Sequence, residues 1–332
     1  MSKPIALVTG GAGFIGSHLC DALLERGYAI RCYDDLSHGS MANISQALNN
    51  PCFEFWQNDV CHRETLSRAM EGASLIFHLA ARKIPRYGGA LSTLSVNNDG
   101  TRNIFELAEG RKCKVILAST SDVYGKGNPP FKESDDLILG SSDIRRWSYA
   151  ASKIFDEHLA LAYYHEKNVP AVVLRFFGSY GPRNHPSWWG GPQAVFIEQA
   201  LKNEEITIHG DGSQTRSFTF IDDLVTGILL ASEEEKAAGQ IINIGSNEEI
   251  SILDLANLIY ELIWPNKSPQ IKFIPYESFG GHYEDVMRRL PDLTKAETIL
   301  GFQWKTRLHE GLPKTIAWHK KATFDNLQPH DY

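Results

Sequence analysis

The sequence predicts an α/β protein: a doubly wound parallel sheet followed by a smaller α/β lobe. Three observations predict it. Short β-branched runs alternate with amphipathic helical patterns through the first half. A glycine-rich turn joins the first run directly to the first helical pattern. The 332 residues, 42% hydrophobic and 11% aromatic, are enough to bury a substantial core in one large or two modest domains.

The expected strands are 5–9, 29–34, 53–58, 75–80, 114–120 and 171–177. Between them lie helical patterns at 15–26, with Leu19, Leu23 and Leu24 on one face, then at 64–70, 97–109 and 148–166. Strands separated by helices pair in parallel through right-handed crossovers, which gives a Rossmann-type domain. Proline and glycine cluster over 178–192, so a boundary is expected there. It divides the chain into a dinucleotide-binding domain, 1–178, and a lobe, 179–332, with 218–245 expected to return to the first domain. Within the lobe, helices are expected at 195–202, 224–233 and 253–262, and strands at 206–209, 218–221, 241–244 and 271–275. Residues 291–311 and the tail beyond read as surface helices and loops.

With 33 Lys+Arg against 40 Asp+Glu, the net charge is −7. That balance, with the basic residues scattered, gives no reason to expect nucleic acid or an anionic membrane as partner. Five cysteines without a C-x-x-C pair read as reduced thiols of a cytoplasmic protein. No apolar stretch reaches the roughly 18 residues of a membrane span. The apolar start does not read as a signal sequence, because it runs straight into the glycines with no cleavage site.

Strand 5–9 runs into Gly10-Gly11-Ala12-Gly13-Phe14-Ile15-Gly16, placing Gly-x-Gly-x-x-Gly at a strand-to-helix turn. Glycines there let backbone N–H groups approach a pyrophosphate at a helix N-terminus. Asp34, at the end of the second strand, is placed to accept from both ribose hydroxyls and to repel a 2′-phosphate, so NAD is expected rather than NADP. Asp59-Val60 reads either as an adenine contact or as a plain strand ending. Tyr149 and Lys153, four apart, share one helix face. An ammonium beside a phenol lowers its pKa, which suits Tyr149 to general base work. No metal is expected.

The ordered segments Thr9–Gly16, Asp34-Asp35, Asn58–Val60, His78–Ala81, Asn97 with Gly100-Thr101, Ser119–Gly125, Tyr149 with Lys153, Gly181–Arg183, Gly210–Gly212, Arg216–Phe218, Asn243–Gly245 and Pro291-Asp292 resemble the extended short-chain dehydrogenase/reductases of the nucleotide-sugar epimerase/dehydratase group. The resemblance implies cofactor contacts at Gly10, Gly13, Phe14, Ile15, Gly16, Asp34, Asp35, Asp59, Val60, Ala80 and Asn97. It also implies that Tyr149 removes the proton of a sugar 4-hydroxyl while hydride passes to NAD, giving a 4-keto intermediate. Lys153 would bind the nicotinamide ribose, and Thr120 the sugar 4-oxygen. Lys83, Gly178 and Arg216 fall at substrate positions, with Arg216 on the nucleotide diphosphate. A homodimer packed through 97–109 and 148–166 is also implied.

The reaction turns on the position two residues after Thr120. Related lyases carry a Glu there, whereas this chain has Asp122, an acid one methylene shorter or else a cap of the following turn. The leading expectation is an NAD-dependent C4 epimerase of a UDP-sugar. The alternative is a lyase using Asp122, either a UDP-glucuronate decarboxylase or a 4,6-dehydratase. Further behind stand a net dehydrogenase and a non-catalytic NAD sensor. Arg146-Trp147-Ser148-Tyr149, Arg216-Ser217-Phe218 and the basic stretch with Arg288 and Arg289 resemble the glucuronate decarboxylases, and the resemblance puts Arg288 and Arg289 at substrate positions, on the diphosphate or the sugar carboxylate. Gly178 departs from the Asn usual at its place. Trp188 and Trp189 read as a lid, a base-stacking surface or structural aromatics.

Overall fold

The computed structural model describes residues 3–83, 89–279 and 284–325. Strands β1 (Ile5–Thr9), β2 (Ala29–Asp34), β3 (Phe53–Gln57), β4 (Ala73–His78), β5 (Lys114–Thr120) and β6 (Ala171–Phe176) join Ile241–Ile244 in one sheet of seven. From the Ile241–Ile244 edge the order is β6, β5, β4, β1, β2, β3, and every pairing is parallel. The order reverses beside β1, so the crevice above the glycine turn is where an open α/β sheet binds its ligand.

Both faces of the sheet are covered, which is why its strands read as unbroken apolar runs. Alternation along β1 sends Ala6 and Val8 into a core with Leu19, Leu23, Leu224 and Ile228, and Leu7 into the opposite core with Ile104, Phe105 and Ala160. Helices Phe14–Glu25 and Ile221–Glu233 lie on the first face. Helices Arg63–Ala69, Ala90–Ala108 and Trp147–Lys167 bury their apolar positions on the second.

In the sheet, the helix before β5 and the C-terminal tail, the structure differs from the sequence expectation, each time for a physical reason. Strand β4 starts at Ala73, which pairs with Ile5 across a register shift, and stops at His78. Leu79 and Ala80 then turn off the sheet, their N–H groups donating to the Thr9 carbonyl at 3.2 Å and the Thr9 hydroxyl at 3.3 Å. The helix expected from 97 begins at Ala90, because its first two turns carry Ser92, Thr93 and Ser95 and give little apolar signal. The tail is not merely a surface segment. Helix Leu308–Asp325 buries Leu308, Leu312, Thr315, Ile316 and His319 against Pro192–Leu201 and Ile252–Ile263. Gly311 and Pro313 near its start hide that spacing.

In the second lobe the single strand expected at 218–221 is two short ones. Thr215–Ser217 pairs with Glu249–Ser251 and with Arg288–Arg289, while Thr219–Phe220 pairs with Ser179–Tyr180. The register sets Arg289 opposite Arg216. All five cysteines are free thiols. Among the described residues no helix is long and apolar enough to cross a membrane.

Candidate active site

The carboxyl ends of the strands open into a cleft of about 1690 Å³, lined from Gly10 at one end to Arg289 at the other. At the first end Gly10 has φ +70°, and a Cβ on it would lie 2.8 Å from the Ala80 backbone nitrogen. A Cβ on Gly16 would collide with the Gly10 carbonyl and approach the Gly11 Cα to 2.7 Å. No side chain fits either position, so the turn stays open as a backbone cradle at the N-terminus of helix Phe14–Glu25. That shape suits a pyrophosphate.

Asp34 closes the cradle. Its carboxylate accepts from the Ala12 N–H at 3.0 Å and the Leu36 N–H at 2.8 Å. Burial lifts its pKa above the usual range against those two bonds. Two occupied sites leave a carboxylate further lone pairs for ribose hydroxyls. Asp35, Asp59, Val60, Ala80, Phe14 and Ile15 line the same end. Beneath it His78 stands between the Thr9 hydroxyl at 2.8 Å and the Thr101 hydroxyl at 3.2 Å. Burial, helped by the Lys153 charge, lowers the His78 pKa to about 3, so the ring is neutral.

At the other end Thr120, Tyr149 and Lys153 converge on the cleft. The Thr120 hydroxyl is near enough to the Tyr149 phenol to favour its ionised form. Lys153 is buried, with its ammonium 3.2 Å from Asp156 Oδ2. The sequence reading has Lys153 depress the phenol, but in the structure the phenol is pushed up. Burial is the main cause and the Asp122 charge adds to it, with the Thr120 hydroxyl opposing. The Lys153 charge is meanwhile met by Asp156, whose own carboxyl is raised by burial.

Thr120, not Asp122, caps the turn Ser121–Tyr124: the Asp122 N–H donates to Thr120 Oγ1 at 3.2 Å, while the Asp122 carboxylate lies 2.6 Å from Arg289 Nη2 and 3.5 Å from Arg146 Nη2. Burial would raise its pKa, yet Arg289, Arg146 and Arg216 together hold it below the usual carboxylate range. Asp285 forms a second node, accepting from Arg146 at 2.7 Å and Arg216 at 3.0 Å. It too is held low by those arginines against its burial. Burial takes Arg216 down to about 10, with the Arg289 and Arg146 charges adding to the effect and Asp285 opposing it.

Other expected site residues fall differently. Asn97 is buried and does not line the cleft: its amide holds the Arg82 backbone at 2.7 and 3.1 Å and Ser152 Oγ at 2.9 Å. Arg288 points away from the cleft into a bidentate pair with Glu249 at 2.7 and 2.8 Å. Gly178 lines the cleft, but a Cβ there would lie 2.8 Å from the Ser217 carbonyl, so the Asn of related chains has no room. Lys83 lies on the cleft wall. Trp188 stacks on His209 with ring centroids 4.2 Å apart, and Trp189 meets His38 at 4.0 Å. Sequence reasoning missed Asp285 and His78 as site-forming residues. The only signal for Asp285 was its place in the basic stretch before Pro291-Asp292.

A dinucleotide cradle joined to a Thr-Tyr-Lys set and an arginine cluster defines a nucleotide-sugar enzyme working through NAD. The chain belongs to the NAD dependent epimerase/dehydratase family, whose model matches residues 6–245, and NAD is its cofactor. It is 36% identical over 327 residues to a UDP-N-acetyl-alpha-D-glucosaminuronate decarboxylase of Bacillus cytotoxicus, covering 97% of this chain and 100% of that protein. With UDP-glucuronic acid decarboxylase 4 of Arabidopsis thaliana it shares 34% over 322 residues, 96% of this chain and 69% of the relative. Among solved structures, the UDP-glucuronic acid 4-epimerase of Bacillus cereus in complex with UDP-glucuronic acid and NAD superposes with a TM-score of 0.87. Its identity is 32%, over 96% of this chain and 99% of that one.

Proposed function

We propose that the chain is a UDP-uronate decarboxylase, which oxidises the sugar at C4, releases the C5 carboxylate as CO₂ and then reduces C4 again, with no net redox change. The observation that carries the reading is Asp122. It is an ionised carboxylate on Arg289, within electrostatic reach of Tyr149, at the position where C4 epimerisation alone needs no acid. The curated relatives named above, both decarboxylases, support it.

When bound, NAD would supply the hydride acceptor at C4. Gly10, Gly13, Phe14, Ile15 and Gly16 would hold its pyrophosphate, Asp34 and Asp35 the adenosine ribose, Asp59 and Val60 the adenine, Ala80 the wall beside it, and Lys153 the nicotinamide ribose. Tyr149 would accept the proton of the 4-hydroxyl once the positive charge of oxidised NAD, added to that of Lys153, brings its raised phenol down, and Thr120 would donate to the 4-oxygen. Once C4 is a ketone the sugar is a β-keto acid. The C5–carboxylate bond then breaks with its electron pair delocalised onto the C4 oxygen, where Thr120 and the protonated Tyr149 stabilise the charge. A proton from water at the Asp122–Arg289 pair replaces CO₂ at C5. Arg216 binds the diphosphate, for which a guanidinium is suited by its fork of donors. Asn97 acts through Arg82 and Ser152, behind the cofactor.

A second reading is C4 epimerisation of the same uronate. It is favoured by the shorter reach of Asp122 compared with Glu and by the likeness to the Bacillus cereus 4-epimerase. Incubation with UDP-glucuronate and its N-acetylated counterpart in D₂O separates the two. Decarboxylation gives CO₂ and a pentose bearing one deuterium at C5; a C4 epimer with no CO₂ establishes the second reading instead. We also propose the division at residue 178 and a homodimer. Helices Ala90–Ala108 and Trp147–Lys167 pack side by side and leave Leu91 and Phe155 exposed.

A further inference from the structure

The helix Trp147–Lys167 carries a third ionisable group on the face of Tyr149 and Lys153. Asp156 follows Lys153 by three residues and Tyr149 by seven, so phenol, ammonium and carboxylate rise from one stripe. Lys153 Nζ lies 3.2 Å from Asp156 Oδ2, and the two side chains are 2% and 0% exposed. An ammonium so far from water needs a countercharge, because burial disfavours its charged form. Unlike Lys153, Asp156 does not line the cleft, so it meets neither cofactor nor substrate.

The surroundings favour an ionised carboxylate. Burial disfavours the Asp156 charge; Lys153 opposes that most, and the Thr101 hydroxyl of helix Ala90–Ala108 is near enough to help. That hydroxyl is also 3.2 Å from Nε2 of His78, whose neutral ring brings no second cation from β4. Glu157, next along the helix, is spent on Arg175 of β6 at 2.7 and 3.0 Å. Facing Tyr149 from the other side are Thr120, Asp122 and Arg289, with Asp122 tied to Arg289 and Arg146. At about 1.5 Å of rise per residue, Lys153 stands about 6 Å and Asp156 about 10 Å along the axis from Tyr149, so the carboxylate cancels about half of what the ammonium does there. It acts on the phenol in the same sense as Asp122, which is the stronger of the two.

We propose that Asp156 is a positioning residue for the reaction: it holds the Lys153 ammonium and counters its charge, which leaves the protonation of Tyr149 to the charge at the nicotinamide. That charge is positive only in the oxidised cofactor. Tyr149 is then ready as base for the oxidation and stays protonated over the keto sugar. This rests on the reading of Tyr149 as the base.

The test is an ultraviolet titration of the phenolate in the NAD-loaded, substrate-free protein, read as the difference from Tyr149→Phe so that the other tyrosines cancel. Asp156→Asn keeps the size of the side chain and removes its charge. Its Tyr149 phenolate is expected to form about one pH unit lower than in the wild type, the effect of one charge about 10 Å away at an effective dielectric constant of about 20. Asp156→Ser is the second variant and is expected to shift the same way. NAD content and melting report whether each variant is folded, and a merely packing role would leave the titration in place. If the wild type shows a Tyr149 step and folded Asp156→Asn leaves it unmoved or raises it, the role of Asp156 is overturned while Tyr149 remains the base. If the wild type shows no Tyr149 step, Tyr149 is not the base and the proposal falls with it. Failure of both variants to hold NAD makes Asp156 a structural residue and likewise overturns the proposal.

Discussion

The two ends of the cleft handle their buried polar groups in opposite ways. At the cofactor end His78 is neutral between two threonine hydroxyls, Asn97 is spent on the Arg82 backbone and Ser152, and Asp34 is held by backbone N–H groups. At the reaction end Asp122 and Asp285 are held ionised by Arg146, Arg216 and Arg289. The first arrangement works by shape and short-range hydrogen bonding to neutral partners and backbone groups. The second works by charge, with residues drawn from four distant segments. In the proposed reaction, a cofactor kept through turnover suits the rigid end, and an anionic substrate that enters and leaves suits the charged one.

The largest expected effect lies at the junction of the two ends. Tyr149→Phe should lower turnover of UDP-glucuronate by about 10²–10⁴-fold, the range for a lost general base, with NAD content unchanged. Undiminished turnover would remove Tyr149 from the chemistry. Next, Asp122→Asn should cut CO₂ release by roughly 100-fold, again with NAD retained, because it touches only the ionic end. A loss of NAD in that variant would mean the two ends are not separable.

Gly16→Ala tests the shape-built end. Its Cβ meets the Gly10 carbonyl, which is backbone and cannot swing aside. A loss of about 1–3 kcal/mol in stability together with depleted NAD is expected in thermal melts and cofactor assays.

Acid should also distinguish the ends, and the sign follows from His78. Its folded pKa of about 3 lies below the unfolded value of about 6.5, so the unfolded chain binds the extra proton and stability falls as pH drops between those values. The loss from this one group is at most about 1.4 kcal/mol per pH unit, measurable by urea unfolding at pH 7 and pH 5. Asp122 and Asp285 are shifted in the same direction, but from a lower unfolded value. Their folded values lie below the usual range, so their contribution persists until pH falls below the unfolded value of about 3.9. Mild acid therefore attacks the cofactor end first. A His78→Gln variant with an unchanged slope from pH 7 to pH 5 would refute this. The smallest effect tests the proposed homodimer: Phe155→Asp at its seam should shift sedimentation toward the monomer with little change in turnover per chain.

The legibility of the site in the sequence follows the same division. The turn from Gly10 to Gly16 and Asp34 at the end of β2 could be read because a strand, a tight turn and a helix start impose local rules on adjacent residues. Strand β4 was displaced because its ends are set by pairing to β1 rather than by its own apolar run. On the strand Arg288–Arg289 the two arginines were equivalent to sequence reasoning. Successive side chains on a strand face opposite ways, and the pairing to Thr215–Ser217 sends Arg289 to Asp122 while Arg288 goes to Glu249.

By itself the sequence determined the doubly wound sheet, the cofactor cradle and the Tyr149–Lys153 pair. Each of these depends on periodicity or on spacing within a few residues. Tertiary structure alone decided which arginines converge on the cleft, that Asp285 joins two of them, and that Gly178 has no room for a longer side chain. Those outcomes depend on strand register and on how the second lobe meets the helix that begins at Trp147. They are through-space relations between segments well separated in sequence, and nothing in local spacing encodes them.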